Sequence, residues 1–167
     1  MSVISRRRLA GYALLEALIA VIVTSIGFIG AARLQTLGMA YNSGAGFRQK
    51  ATLLVDQMID RMRANQVGLQ TGAYNSVTAS SSSCLDTVTG CTPADLARDD
   101  VREWLADVAV QLPEGAGIVC RDSTPADPPN NVTAAGCDGL GNLLAVKVQW
   151  TDRFGTQTFV TMARLVP

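Results

Sequence analysis

From Tyr12 to Ala32 the chain runs for 21 residues with a single charge, Glu16. As a helix this run is about 31 Å long at 1.5 Å per residue, the thickness of a ~30 Å hydrocarbon core, so it reads as a membrane-spanning helix. Arg6, Arg7 and Arg8 precede it and Arg33 follows it. The positive-inside bias then places the N-terminus in the cytoplasm and the rest of the chain on the far side. A cleaved secretory signal has the same basic start, but its apolar region is typically about 7–15 residues long, shorter than this one. A plain single-pass anchor gives no reason for Glu16, since an ionised carboxylate inside a span costs on the order of 2–3 kcal/mol or more. The intramembrane acid asks for a partner.

Composition narrows the chemistry. The 167 residues suit one domain, but the hydrophobic content of 48% is concentrated towards the N-terminus and only 5% is aromatic, so the remainder forms a small core. Histidine is absent. Ser-His-Asp triads, Cys-His pairs, HExxH zinc sites and histidine acid/base catalysis are thereby excluded. Formal net charge is zero, yet three of the fourteen basic residues are Arg6–Arg8, leaving the chain from Tyr12 onward mildly acidic and unsuited to nucleic acid. Cys84, Cys91, Cys120 and Cys137 all follow the apolar run, contain no CxxC, and suit two disulfides in an oxidising compartment better than a zinc site. Of three connectivities, the local pairs Cys84 with Cys91 and Cys120 with Cys137 require the least loop closure.

The segment Gly11-Tyr12-Ala13-Leu14-Leu15-Glu16-Ala17-Leu18 resembles the type IV prepilin signature: a glycine, an aromatic residue, then an apolar run with glutamate fifth. Tyr12 and Ala13 stand where phenylalanine and threonine or serine are usual. The resemblance implies that a prepilin peptidase cuts after Gly11 on the cytoplasmic side and methylates the new N-terminus at Tyr12, leaving residues 12–167 as the mature chain. A free amine at Tyr12 titrates near pH 8 and supplies the countercharge Glu16 needs, within a subunit or between neighbours. The family places that bond between subunits; the sequence leaves both open, because Glu16 lies one helical turn from Tyr12.

Beyond Arg33 the apolar residues Ala51, Leu54, Val55, Met58 and Met62 recur at spacings of three and four, predicting a helix that continues to about Asn65. Asn42-Ser43-Gly44-Ala45-Gly46 is weak helix material, each interior glycine costing about 1 kcal/mol, and a kink or local melting is expected there. The helix end, Asp60-Arg61-Met62-Arg63-Ala64-Asn65, adds a second resemblance, to the PilV family of type IV pilus modification proteins. On their own, Asp60, Arg61 and Arg63 read equally well as a solvated helix end or as contact residues, with no catalytic chemistry.

Residues 66–92, rich in Gly, Ser, Thr and Asn, read as a surface loop. Thr92-Pro93-Ala94-Asp95 then opens a helix whose apolar face is Ala97, Val101, Trp104, Leu105, Val108 and Leu112, ended by Pro113. Trp104 is a core anchor, while Asp99, Asp100 and Glu103 are assigned to the wet face and to no acid/base work. Residues 121–142, with three prolines and flanked by Cys120 and Cys137, form a second loop. The tripeptide Asn131-Val132-Thr133 fits a glycosylation sequon but is treated as loop. Around it, Gly117–Arg121 is a candidate strand, Leu144, Val146, Val148 and Trp150 alternate with Ala145, Lys147 and Gln149, and Thr156–Leu165 is a further strand after the turn Asp152–Gly155.

Together these features predict an α+β pilin fold, in which a long N-terminal helix packs its second half on a small antiparallel β-sheet. The segments are a leader, 1–11; a transmembrane and polymerisation helix, 12–32; a continuing amphipathic helix, 33–65; and a periplasmic domain, 66–167. The resemblance implies a minor pilin, not an enzyme, that initiates or modifies type IV pili in motility or adhesion. It implies residence in the inner membrane and then in the pilus. Its partners would be major and minor pilins, prepilin peptidase and inner-membrane lipid, with no nucleic acid, cofactor or metal. The alternatives are a minor pseudopilin of type II secretion, which shares the Gly11 and Glu16 logic, and a membrane-anchored periplasmic enzyme.

Overall fold

The computed structural model describes residues 9–76, 88, 90–126, 132–133 and 136–164, with side chains from Tyr12 to Ala163. The architecture is α+β: a long N-terminal helix, two further helices and a three-stranded antiparallel sheet. Helix α1, Leu9–Ala64, contributes to both compact units of the chain, Met1–Ser43 and Gly44–Pro167.

In the first unit α1 is apolar on every side. Each large apolar side chain from Tyr12 to Ile29 is at least half exposed, Ile22 being lowest at 50%. Such a surface suits a non-aqueous surrounding or partner helices. Two of its hydroxyls are satisfied inside the helix: Thr24 Oγ1 donates to the Ala20 carbonyl at 2.8 Å and Ser25 Oγ to the Val21 carbonyl at 2.6 Å. A hydroxyl that bonds back one turn presents little unmet polarity to a hydrocarbon medium.

In the second unit the predicted stripe is the core. Ala51, Leu54, Val55, Met58 and Met62 are buried, while Leu53 on the other face is exposed. The local melting expected at Asn42–Gly46 does not occur: the segment is helical. Two glycines cost about 2 kcal/mol, which the burial of the following turns offsets, beginning with Phe47 against the core.

The expected loop at 66–92 is also corrected at its start. Helix α2, Gln66–Gln70, and the turns after it bury Leu69 and Tyr74. Residues 77–87 and 89 lie outside the described residues. Helix α3, Pro93–Gln111, starts where predicted: the Thr92 hydroxyl oxygen accepts from the Asp95 N–H at 3.2 Å, with Pro93 in the first turn. Such a cap contributes about 1 kcal/mol. Ala97, Val101, Trp104, Val108 and Leu112 are buried and Leu105 partly so.

Strands β1, Ala116–Arg121, β2, Leu143–Asp152, and β3, Gly155–Arg164, lie in the order β1-β2-β3. The β2–β3 hairpin closes over Arg153 and Phe154, with Asp152 opposite Gly155. Asp152 Oδ1 accepts from the Phe154 N–H at 2.7 Å, and Gly155 takes φ +109°, which a side chain resists. Val119, Leu144, Val146, Val148 and Trp150 form the buried inner face of the sheet. Helix α3 packs against β1, where a Cβ on Gly117 would come within 2.5 Å of Trp104 Cη2.

Strict alternation along β2 implies one wet face, but Ala145 and Lys147 are buried as well. Ala145 stands opposite Cys120 in the register, and Lys147 meets Asp122 and the Gly136 carbonyl.

Candidate functional site

The residues singled out in the sequence fall in two places. Gly11, Tyr12 and Glu16 lie on α1 in the first unit. Tyr12 is 79% exposed, Glu16 is exposed, and among the described residues Glu16 has no ion-pair partner. A lone carboxylate on an all-round apolar helix is costly in hydrocarbon unless an outside cation meets it. Among the described residues α1 is also the helix long and apolar enough to cross a membrane once.

The cysteines belong to the second unit. Cys120, buried on β1, is bonded to Cys137 with a Cα–Cα distance of 6.1 Å, as the shorter-loop pairing predicts. Cys91 is disulfide-bonded, and Cys84, its expected counterpart, lies outside the described residues.

The helix-end motif divides in role. Asp60 and Arg63 pair at 3.3 Å, both highly exposed, and match the solvated reading. Arg61 instead reaches α3, 2.8 Å from Glu103 Oε2 and 3.8 Å from Asp100 Oδ1. Asn65 is buried and joins three segments. Its Oδ1 caps α2 by accepting from the Gly68 N–H at 3.1 Å, and its Nδ2 donates to the Pro93 carbonyl at 2.7 Å and to Tyr74 Oη at 3.1 Å. A Cβ on Gly68 would stand 2.4 Å from that amide, so the cap needs glycine there.

Tyr74 completes the group by donating to Asp100 Oδ2 at 2.6 Å. Burial, reinforced by Asp100, pushes the Tyr74 phenol well above its usual range, so it stays a neutral donor. Burial likewise raises the Asp100 carboxyl, against the opposing pull of Tyr74 and Arg61. The assignment of Asp99 and Asp100 to the wet face is therefore corrected: Asp99 is 3% exposed and accepts from Arg102 Nη2 at 2.6 Å, while Asp100 is turned into the Tyr74 network. The hydrogen bond to Asp99 raises the Arg102 guanidinium further, so that charge is fixed.

A second buried polar site was hidden in the alternation of β2. Lys147 Nζ lies 2.6 Å from Asp122 Oδ2, both side chains no more than 3% exposed, and it donates to the Gly136 carbonyl. Alongside, Asp138 accepts from the Ser123 N–H at 3.0 Å, from the Ser123 hydroxyl, and from the Leu140 N–H at 2.7 Å. The Ser123 hydroxyl foremost holds the Asp138 carboxyl below its usual range.

A cleft of about 410 Å³ lies between the end of α1, α2 and β3, lined by Ile59, Met62, Leu69, Met162 and Ala163 with Arg63 at its rim. Among the described residues no three His, Cys, Asp or Glu side chains gather as a metal site would require. No family model, curated protein or solved structure matches this chain. The molecule is thus an α+β protein with one long apolar N-terminal helix, a small antiparallel sheet and disulfide bonds.

Proposed function

We propose that this chain is a type IV pilin-like subunit, a minor pilin of the PilV kind, which enters a pilus through its N-terminal helix and helps initiate or modify fibre assembly. The observation that carries the reading is the division of α1. Its first part exposes apolar side chains on all sides around one acid, Glu16, that has no ion-pair partner among the described residues, whereas its second part buries a single stripe in an α+β domain. A helix of this kind has two successive environments in which its apolar surface is satisfied, the bilayer and the company of like helices. Glu16 selects the second, because a neighbour's amino terminus supplies the cation that lipid does not.

On this reading prepilin peptidase processes the chain after Gly11, and the soluble domain lies on the periplasmic side, where its disulfides form. Among the described residues, Asp99, Asp100 and Asp122 are engaged by Arg102, Tyr74 and Lys147 respectively.

Mass spectrometry of the N-terminus of protein isolated from its native envelope tests the proposal. The expected species begins at N-methylated Tyr12. An intact Met1, or cleavage beyond the apolar run, rejects it.

A further inference from the structure

Asp122 and Lys147 share the outer face of the sheet. Lys147 stands opposite Ile118 and Ala145 opposite Cys120, and the Asp122 N–H continues the ladder by donating to the Leu143 carbonyl at 3.3 Å. The lysine is thus two same-face positions from the aspartate along β2, and the residue between them on that face, Ala145, is small. Its ammonium group arrives 2.6 Å from Asp122 Oδ2, with both side chains no more than 3% exposed. Yet Oδ2 accepts no hydrogen bond among the described residues. The nitrogen is against the carboxyl group but off the hydrogen-bonding direction, at a buried oxygen of the kind that is ordinarily satisfied. The other oxygen, Oδ1, accepts from the Thr124 N–H at 3.1 Å, and Lys147 Nζ donates to the Gly136 carbonyl.

We propose that Lys147 and Asp122 condense to an intramolecular amide, an isopeptide bond that joins the residue after β1 to the middle of β2. Nζ attacks Asp122 Cγ, a Cγ–Nζ bond forms and the bond from Cγ to Oδ2 breaks. Two of the three ammonium protons leave with Oδ2 as one water molecule. The pair is neutral overall before and after, and the step needs no oxidant, reductant or further reactant. Oδ1 becomes the amide oxygen, and the Thr124 N–H already donates to it where negative charge develops during attack. The Gly136 carbonyl orients the amine by accepting one of its N–H groups. Holding both reactants on one sheet makes the step unimolecular, which is the gain that two poorly reactive groups require. In water the separate ions are favoured because each is hydrated. Burial has removed that hydration here, and the amide replaces two buried charges with one neutral group.

The bond leaves a signature in mass. Trypsin cuts after Arg121, Lys147 and Arg153, and no lysine or arginine lies between the first two. Full-length protein isolated in detergent from its native envelope is reduced, alkylated, denatured and digested, and its peptides are read by mass spectrometry. The expected result is a peptide running from Asp122 to Arg153, uncut after Lys147 and lighter than its sequence by one water molecule. The separate peptide ending at Lys147 should be nearly absent. Lys147→Arg keeps the positive charge and the tryptic site but offers no amine to acylate, so it should show the full sequence mass and be cut. Wild-type protein of full mass that is cut after Lys147 overturns the proposal, and that reading depends on no variant folding. Loss of water in a chain still cut after Lys147, or retained in Lys147→Arg, overturns it equally, because the dehydration then lies at another residue.

Discussion

The indole N–H of Trp104 donates to the backbone carbonyl of Leu54 at 2.8 Å, joining the middle of α3 to the middle of the buried half of α1. That carbonyl is inside the helix, so the bond is an addition to the helical ladder and fixes the rotation of α3 about its own axis. The ring then lies over β1 at the one residue, Gly117, that leaves room for it. Trp104→Phe removes the donor and the outer ring, and should lower unfolding free energy by about 1–3 kcal/mol. Gly117→Ala should cost a similar amount by overpacking, about 1–3 kcal/mol. The two changes share one contact, so chemical denaturation of the double variant should show less than the sum of the single losses.

Asn65 and Gly68 form a second interdependent pair. Asn65→Ala withdraws the cap of α2 and leaves the Pro93 carbonyl and Tyr74 short of a donor, for an expected loss of about 2–4 kcal/mol. Gly68→Ala should be destabilising as well, because the new methyl group meets the Asn65 amide. In Asn65→Ala that obstruction is gone, and thermal unfolding should show Gly68→Ala to be nearly silent in the double variant.

Two aspartates give opposite pH signatures. Asp100 has its pKa raised by burial above the ordinary 3.8, so the folded state binds its proton more readily than the unfolded chain. Its contribution is therefore favourable below the unfolded pKa and is lost as pH rises through the folded value. Asp138 has its pKa lowered by Ser123, so its contribution is present above 3.8 and is lost as pH falls through the folded value. Relative to wild type, Asp100→Asn should gain stability as pH rises from 3.8, whereas the deficit of Asp138→Asn should shrink as pH falls. Denaturant unfolding at a series of pH values, with each variant beside wild type, measures both slopes.

Removing one member of the Lys147–Asp122 pair strands a buried charge. Lys147→Met should cost about 3–5 kcal/mol. Adding Asp122→Asn, which keeps an acceptor for the Thr124 N–H but drops the charge, should recover most of the loss in the same unfolding assay.

For the proposed assembly role, Glu16→Ala should leave membrane insertion and folding of the soluble domain intact, since it removes a costly charge from the apolar stretch. Its incorporation into sheared fibres should fall well below that of wild type. Wild-type incorporation would show Glu16 to be a passenger.

What could be read in the sequence was local. The Thr92-Pro93-Ala94-Asp95 start of α3, its Trp104 stripe and the Asp152–Gly155 turn carry their signals within a few residues, and each formed as expected. The stripe of Ala51–Met62 was legible for the same reason. The misses involve partners far apart in the chain. Tyr74 sits in a polar stretch whose composition reads as loop, and its burial depends on Asp100, 26 residues later. Lys147 occupies the outward phase of a strand, where it meets Asp122 and the Gly136 carbonyl from elsewhere in the chain. Asp99 was assigned by polarity, although its pairing with Arg102 allows it to be buried. At Asn42–Gly46 propensity alone was too weak a guide, because tertiary burial on the next turn outweighs two glycines.

The attachment of α3 at both Leu54 and Asn65 has a mechanical meaning. The two points are separated by about 16 Å along the helix at 1.5 Å per residue. A tensile load carried down α1 into this domain would be divided between them in parallel, as shear along the helix, so neither bond has to rupture first and peel the next. A domain fastened in this way resists sliding of α3 along the helix more strongly than prying of the two apart.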